Sequence, residues 1–219
     1  MQDKLPIAIV SDIVCPWCFI GKARLETALA QHGLTDRVAI TWLPYELNPD
    51  MPPEGMDRTA YLDAKFGGRA RAATVYGRIE AAAREAGLEV DFGRIARVPN
   101  TLDAHRLIHW AGIEGVQTPV VSALFAAYFR DGRDIGDASE LARIAAACGM
   151  DGAAVAVALQ GEADRDDLAA RDADARARGV TAVPTWLIDR RHVLQGAQPP
   201  VLWLGVIDEI LAKVGVAGA

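Results

Sequence analysis

The 219-residue chain is long enough for one large domain or two small ones, and about half of its residues are apolar and a quarter charged, as in ordinary globular proteins. Its net charge of −6 argues against a nucleic-acid-binding protein, which would present a basic face to phosphate groups. No apolar run approaches the ~20 residues of a transmembrane helix, so we expect no contact with a membrane. The start of the chain lacks the basic and long apolar regions of a signal peptide, so we expect a cytoplasmic location.

The first 45 residues predict a strand, a helix and a second strand. Apolar and β-branched residues at 7–11 and again at 38–45 are typical of buried strands. Between these runs, apolar residues recur at helical spacing until Gly33, which predicts the end of the helix. A strand–helix–strand unit of this kind favours two parallel strands.

The middle of the chain, residues 57–179, predicts only helices separated by glycines, with no strand. Strand patterns return at 184–189 and 192–196, with Arg190 and Arg191 at the turn between them. We therefore predict a sheet-containing domain made of residues 1–56 and 180–219, and an inserted helical domain at 57–179.

A final helix is predicted after two prolines, because proline suits a first helical turn and a glycine closes the pattern. Its predicted buried face consists of Val201, Leu204, Ile207, Ile210 and Leu211.

Two of the three cysteines, Cys15 and Cys18, stand where the first strand gives way to the first helix. Pro16 fits the first helical turn, and a thiolate at Cys15 would face free N–H groups and the positive end of the helix dipole. Cys18 follows one turn later on the same face, where we expect the more buried sulfur. This spacing favours thiol–disulfide chemistry, in which Cys18 attacks a mixed disulfide formed at Cys15.

A metal site is the first alternative for this cysteine pair. Structural zinc needs four ligands, and Cys148 is the one cysteine left. His105 and His109 are four residues apart on a predicted helix, but a third ligand is not evident. We therefore expect no metal, and we expect Cys148 to be a small buried apolar residue.

A second signal lies at Val183 and Pro184, directly before a predicted strand. Proline cannot donate to a sheet ladder and therefore belongs at the first position of a strand or in a tight bend. A cis peptide bond here would expose the backbone of Val183 for pairing with an extended substrate.

The motifs "CPWC", "YELNP", "RVPNTLDAHRL", "LFAAYFRDGRDIGD" and "GVTAVPTWLIDRRHVLQGAQPP" occur in this order along the chain. With them the sequence resembles the DsbA-like group of thioredoxin-fold proteins, and within that group the cytoplasmic FrnE-like oxidoreductases. The resemblance implies an α/β protein with a thioredoxin fold and a large all-helical insertion. It also implies a protein disulfide oxidoreductase.

The resemblance also implies residue roles, and for the two cysteines it agrees with the spacing argument. Cys15 would attack the substrate disulfide and Cys18 would resolve the mixed disulfide. Pro16 and Trp17, which lie between the two thiols, would contact the substrate and tune the redox potential. Val183 would contact the substrate backbone, and Pro184 would be the cis-proline beside it.

Three further residues are candidates for supporting roles. Asn100 in "PNT" matches a recurrent position of the family, where it would face the active site or cap a helix. Asp12 and Glu46 lie near the ends of the two flanking strands. Either is a candidate proton acceptor for Cys18, and the alternative is an exposed carboxylate at a loop end.

Two other functions stay open. Kappa-class glutathione transferases and 2-hydroxychromene-2-carboxylate isomerases share this architecture, but a serine usually replaces their first cysteine. Glutathione is expected as a redox partner or a co-substrate, and no bound cofactor is expected. The expected partners are proteins or small molecules that carry disulfides or thiols.

A peptide-binding chaperone is the last alternative. Its groove would be made of Trp110, Phe125, Tyr128 and Phe129, although at helical spacing these residues are also typical of a core.

Overall fold

A computed structural model describes residues 4–214, and a four-stranded mixed sheet lies at its centre. The strands are β1 (Leu5–Ser11), β2 (Val38–Pro44), β3 (Met56–Asp57), β4 (Arg97–Val98), β5 (Thr185–Ile188) and β6 (His192–Gln195). The central sheet has the order β2-β1-β5-β6, in which β1 runs parallel to β2 and antiparallel to β5. The predicted strand–helix–strand unit and the closing pair of strands are thus present at the expected places.

Strands β3 and β4 form a separate ladder of two residues each, and they correct the sequence analysis. We predicted no strand between residues 57 and 179, yet Asp57 pairs with Arg97 inside that segment. A two-residue ladder has no period-2 pattern to recognise, and its partners lie about 40 residues apart.

The helices of the described chain are α1 (Pro16–Gln31), α2 (Arg58–Phe66), α3 (Arg69–Glu85), α4 (Leu102–Ile113), α5 (Gln117–Phe125), α6 (Ala138–Ala147), α7 (Gly152–Gln160), α8 (Arg165–Ala177) and α9 (Pro200–Val214). Helix α5 continues into a wider π-helical turn at Ala126–Arg130. Among the described residues, no helix is long and apolar enough to cross a membrane.

Helices α1 and α9 pack together against one side of the sheet. The α9 contact is made by Trp203, whose ring meets Trp186 edge-on with 4.7 Å between centroids. Ile207 is buried as predicted, but Val201 is 75% exposed and its predicted burial is wrong. The face is set by the large Trp203 ring, while the side chains of Ile210 and Leu211 lie outside the described residues.

The segment from α2 to α8 folds over the sheet, and α4, α5 and α8 pack against β2. Phe125, Tyr128 and Phe129 are buried, so these rings do not form an open peptide groove, although Tyr128 and Phe129 line part of a cavity. Phe125 and Phe129 stack against Phe19 of α1 with centroid distances of 5.2 and 5.7 Å. Trp110 is half-buried.

One cluster of buried apolar side chains runs through both parts of the chain, from Ile9 and Trp42 in the sheet to Leu107 in the insertion. The predicted division into residues 1–56 plus 180–219 and residues 57–179 therefore follows the chain order. We propose that the two parts share one core and fold together.

A buried arginine fastens the end of α7 and the loop after it to α4. Arg106 is 0% exposed, and its guanidinium donates to carbonyl oxygens of Ala158, Gly161 and Ala163 at 2.8 Å. It therefore satisfies carbonyls around the C-terminal end of α7, which have no partner within the helix.

The outer edge of β2 is covered by a side chain. Gln117 Oε1 accepts from the N–H of Trp42 at 2.9 Å, and Gln117 Nε2 donates to the carbonyl of Trp42 at 3.2 Å. The amide thus pairs with β2 as a neighbouring strand would.

Candidate active site

The pairing of β1 with β5 brings the cysteine motif next to Pro184. Val10 near the end of β1 lies opposite Thr185, the first residue of β5. The chain therefore leaves β1 toward Cys15 at the same end of the sheet where Pro184 enters β5. The Cys15 thiol donates to the carbonyl oxygen of Val183 at 3.6 Å, and the Val183–Pro184 peptide bond is cis.

Cys15 is the N-cap residue of α1, and Pro16 is the first residue of the helix. The carbonyl oxygen of Cys15 accepts from the N–H groups of Cys18 at 3.1 Å and Phe19 at 3.3 Å. Cys15 thus lies at the N-terminal end of the helix, which is the setting expected from the sequence.

Gly21 allows α1 to approach this site closely. A Cβ at Gly21 would lie 2.9 Å from the Trp186 ring and 3.1 Å from Cγ of Pro184. The helix that carries both cysteines can therefore rest on Pro184 only with glycine at this position. The helical pattern of the sequence did not single out Gly21.

The two cysteines are free thiols that differ in their surroundings. Cys15 is 4% exposed and Cys18 is 0% exposed, so Cys18 is the more buried sulfur, as expected. Burial raises the pKa of Cys18 well above its ordinary value, and a hydrogen bond with Cys15 and the charge of Cys15 raise it further. The Ser11 hydroxyl and the N–H of Asp12 act in the opposite direction.

Ser11 was not singled out by the sequence analysis. It is the last residue of β1, is 3% exposed, and its hydroxyl oxygen makes no hydrogen bond among the described residues. A buried hydroxyl without a partner is uncommon, and this one faces the sulfur of Cys18.

Asp12 and Glu46 are buried, at 0% and 6% exposure, so the alternative of exposed loop-end carboxylates is wrong. One Asp12 oxygen accepts from the N–H of Leu47 at 2.7 Å, and the other lies 3.7 Å from Nε2 of His105. The Asp12 backbone faces Cys18, whereas the carboxylate is occupied by Leu47 and His105.

His105 of α4 faces the carboxylate of Asp12. Burial by itself lowers the pKa of His105, but the hydrogen bond that the imidazole donates to Asp12 and the negative charges of Asp12 and Glu46 outweigh burial and raise it. His105 Nε2 also lies 3.2 Å from the carbonyl oxygen of Tyr45. The imidazole therefore joins the ends of β1 and β2 to α4.

Glu46 has its pKa raised to about 7, mainly by burial. Its backbone N–H donates to Asp172 at 2.9 Å, and Asp172 pairs with Arg176 at 2.8 Å, both from α8. The Arg176 guanidinium also lies over the Tyr45 ring, 4.1 Å from the centroid. We call this group of ionisable side chains the rear cluster: Asp12, Glu46, His105, Asp172 and Arg176.

Asn100 fastens a loop to a helix. Its Nδ2 donates to the carbonyl oxygen of Met51 at 2.8 Å, and its Oδ1 accepts from the N–H of Leu102 at 3.0 Å. The capping alternative of the sequence analysis therefore describes the contacts of this amide.

The third cysteine of the chain belongs to the inserted helical segment. Cys148 is half-buried rather than buried, because it follows the last turn of α6, and partial burial raises its pKa. Within residues 4–214, no group of three or more His, Cys, Asp or Glu side chains is arranged to hold a metal ion.

A cavity of about 350 Å³ lies in front of Cys15. Trp17, which is 38% exposed, and Val183 line its sulfur side. The opposite side is built by α2 and α3, which contribute Arg58 and Tyr76 among others. Cys15 thus lines a cavity whose opposite wall is formed by the inserted segment.

Comparison with known proteins agrees with this geometry. The family model of the DSBA-like thioredoxin domain matches residues 6–207. The uncharacterized protein YwbO of Bacillus subtilis is 29% identical to the chain over 209 residues, which cover 93% of this chain and 96% of YwbO. The structure of a probable DsbA oxidoreductase from Streptomyces coelicolor superposes with a TM-score of 0.85 at 30% identity, covering 95% of this chain and 91% of that one.

Two more distant structures share the fold. A 2-hydroxychromene-2-carboxylate isomerase has a TM-score of 0.71 at 15% identity, with 98% of this chain and 100% of that chain covered. The cytosolic disulfide reductase DsbM from Pseudomonas aeruginosa, solved with GSH, has a TM-score of 0.68 at 19% identity, with 95% and 100% covered. The predicted α/β thioredoxin fold with a helical insertion is confirmed, and the chain belongs to the DSBA-like thioredoxin domain family.

Proposed function

We propose that the protein is a thiol–disulfide oxidoreductase of the FrnE-like type, in which Cys15 attacks and Cys18 resolves. The observation that carries this proposal is the placement of two free thiols on the first turn of α1, one opening into a cavity and one fully buried behind it. The hydrogen bond from Cys15 to Val183 supports a substrate-contacting role for Val183 and Pro184. Pro16 and Trp17 line the same cavity and would contact the substrate there.

The first chemical step is attack by the Cys15 thiolate on one sulfur of a substrate disulfide. The substrate S–S bond breaks, its electron pair leaves with the departing thiolate, and Cys15 is joined to the other half in a mixed disulfide. This step removes the negative charge of Cys15, which is one of the causes that raise the pKa of Cys18. Cys18 therefore becomes easier to deprotonate once the mixed disulfide has formed.

In the second step the Cys18 thiolate attacks the sulfur of Cys15. The mixed disulfide breaks, the second substrate thiolate leaves with the electron pair, and Cys15 and Cys18 are joined by a disulfide. The Ser11 hydroxyl and the Asp12 N–H can hold the developing thiolate of Cys18. The substrate gains two electrons, and the reverse sequence oxidises a dithiol.

Glutathione is proposed as the low-molecular-weight thiol that exchanges with this cysteine pair. The protein is proposed to act in the cytoplasm. Support for both comes from the cytosolic reductase DsbM, which shares the fold and was solved with GSH. In a reducing compartment, free Cys15 and Cys18 are the expected resting form.

A glutathione-dependent isomerase or transferase is the second candidate, because an isomerase shares the fold and the cavity can hold a small molecule. In that cycle the cofactor thiol adds to the substrate and is later expelled, so Cys18 takes no part.

The experiment that separates the two candidates is Cys18→Ala, with Cys148→Ala as the matched control. For an oxidoreductase, Cys18→Ala traps a mixed disulfide on Cys15, visible by mass spectrometry, and abolishes turnover of a peptide disulfide, whereas Cys148→Ala leaves turnover unchanged. Fast isomerase turnover that is indifferent to Cys18, with negligible disulfide exchange in the unmodified protein, would overturn the proposal.

A further inference from the structure

The cavity in front of Cys15 is positively charged although the chain as a whole carries a net charge of −6. Arg58 and Lys65 line it, and among the described residues no aspartate or glutamate does. Neither cation forms an ion pair with a carboxylate among the described residues. Two cations facing one chamber without a counter-charge favour a ligand that brings the negative charge itself.

Arg58 is held in place by its own backbone and by aromatic rings. Its N–H donates to the carbonyl of Ala96 at 2.9 Å, at the end of the β3–β4 ladder. Its guanidinium lies over the ring of Tyr76, 4.7 Å from the centroid, and 5.7 Å from that of Phe92. The rings fix the direction of the guanidinium without neutralising its charge.

Lys65 stands on the same face of α2 as Arg58, seven residues further along the helix. Its ammonium donates to the hydroxyl of Tyr61 and lies 4.9 Å from that ring's centroid. The Tyr61 hydroxyl in turn donates to Oδ1 of Asn48 at 3.0 Å. A phenol is a neutral partner, so the charge of Lys65 also stays available to a ligand.

The walls and the size of the cavity restrict what that ligand is. A volume of about 350 Å³ lies at the lower end of small-molecule sites, which span roughly 300–1,000 Å³. Tyr76, Tyr128 and Phe129 supply aromatic surface. Because Cys15 is only 4% exposed, its sulfur is reached through this chamber rather than from a broad protein surface.

We propose that the cavity binds small anionic aromatic disulfides, with Arg58 and Lys65 holding the negative groups while Cys15 attacks the disulfide. The inference rests on the proposed thiol–disulfide exchange and names the substrate class of that site. Attack by Cys15 breaks the ligand's S–S bond and leaves one aromatic half bound through sulfur. The other half departs as a thiolate with the electron pair, and Cys18 then releases the bound half. A low-molecular-weight thiol such as glutathione restores the dithiol.

The test compares two aromatic disulfide probes in single-turnover stopped-flow experiments with reduced protein, each variant being compared with the unmodified protein on the same probe. Dithiobis(nitrobenzoate) carries two carboxylates, whereas dithiodipyridine is neutral near pH 8. We expect Arg58→Met to lower the rate for the anionic probe about 5- to 10-fold, as loss of one close charge pair implies, and Arg58→Met with Lys65→Met to lower it further. The rate for the neutral probe should change less than about 2-fold.

The control is Arg78→Met, which removes the same charge from an exposed position on α3 outside the cavity lining. It should leave the ratio of the two rates unchanged, and Arg58→Lys should recover most of the ratio lost in Arg58→Met. If the ratio stays at its original value in the double variant, or falls equally in Arg78→Met, the inference is wrong. Failure of the underlying function has a different signature, since neither probe would then react faster with the unmodified protein than with Cys15→Ser.

Discussion

The cavity in front of the cysteine pair and the rear cluster behind it use charge in opposite ways. In the cavity, Arg58 and Lys65 contact aromatic rings and phenol groups, and the described lining residues include no carboxylate that could pair with them. In the rear cluster, Asp12 faces His105 at 3.7 Å and Asp172 pairs with Arg176 at 2.8 Å. The inserted segment contributes to both arrangements, from α2 in front and from α4 and α8 behind, where it meets Asp12 and Glu46.

This difference separates recognition from support. A charge left without a partner at a half-open surface contributes little to folding but adds to the attraction of a ligand. A buried ion pair contributes little to the free energy of unfolding while both partners are present. Removing one partner is costly, because it leaves the other charge buried and unpaired. Substitutions in front should therefore alter rates, and substitutions behind should alter the free energy of unfolding.

The largest effect is expected for Asp12→Ala. It leaves the N–H of Leu47 and the imidazole of His105 buried without their partner. We expect the free energy of unfolding to fall by about 3–5 kcal/mol, measured by urea denaturation. Arg58→Met in front should cost no more than about 1 kcal/mol in the same assay. Equal losses for the two variants would contradict the separation.

A second, smaller effect concerns Glu46 and pH. Burial raises the pKa of Glu46 from its ordinary value of 4.5 to about 7 in the folded protein. Between these two values the folded state binds more protons than the unfolded state, so the free energy of unfolding falls as pH rises. The raised pKa of His105 acts in the same direction, since its contribution is lost as pH rises through its folded pKa.

Glu46→Gln mimics the protonated form and should remove the Glu46 part of this slope. We expect the variant to match the unmodified protein near pH 4.5 and to be more stable by up to about 3 kcal/mol at pH 8. Urea denaturation at a series of pH values measures the difference. A variant that is less stable at pH 8 would mean that His105 and Arg176 stabilise the ionised carboxylate more than burial opposes it.

The smallest effect is expected for Ser11→Ala, between the two regions. The Ser11 hydroxyl lowers the pKa of Cys18 but has no other hydrogen-bond partner among the described residues. Its loss should slow the release of a mixed disulfide from Cys15 by about 3-fold while leaving the free energy of unfolding within about 0.5 kcal/mol. Rapid-quench mass spectrometry follows the release. If the first attack by Cys15 is slowed and the release is unchanged, Ser11 acts on Cys15 rather than on Cys18, and the prediction is wrong.

The sequence was sufficient for the parts of the site that depend on chain order. Cys15 and Cys18 are adjacent to a readable strand and helix, and the second strand signal after Pro184 placed that proline at the start of β5. Pairing of β1 with β5 then follows from the fold that the motifs indicate.

The parts built from distant segments were not predictable. Asp12 and Glu46 were compatible with exposed positions because their burial depends on α4 and α8, more than 50 residues away. Arg58 was not noticed, since a two-residue ladder without a sequence pattern places it. Val201 and Trp203 illustrate the same limit inside one helix, where a single large ring decided which face is buried.

The amide of Gln117 has a consequence for how copies of this protein behave toward one another. An open edge strand is a template on which another chain can add a strand, and such pairing leads to aggregation. Gln117 occupies both backbone groups of Trp42, and Pro44, two residues along the same strand, has no N–H to offer. An approaching strand would first have to displace this side chain, so β2 resists recruitment into an intermolecular sheet.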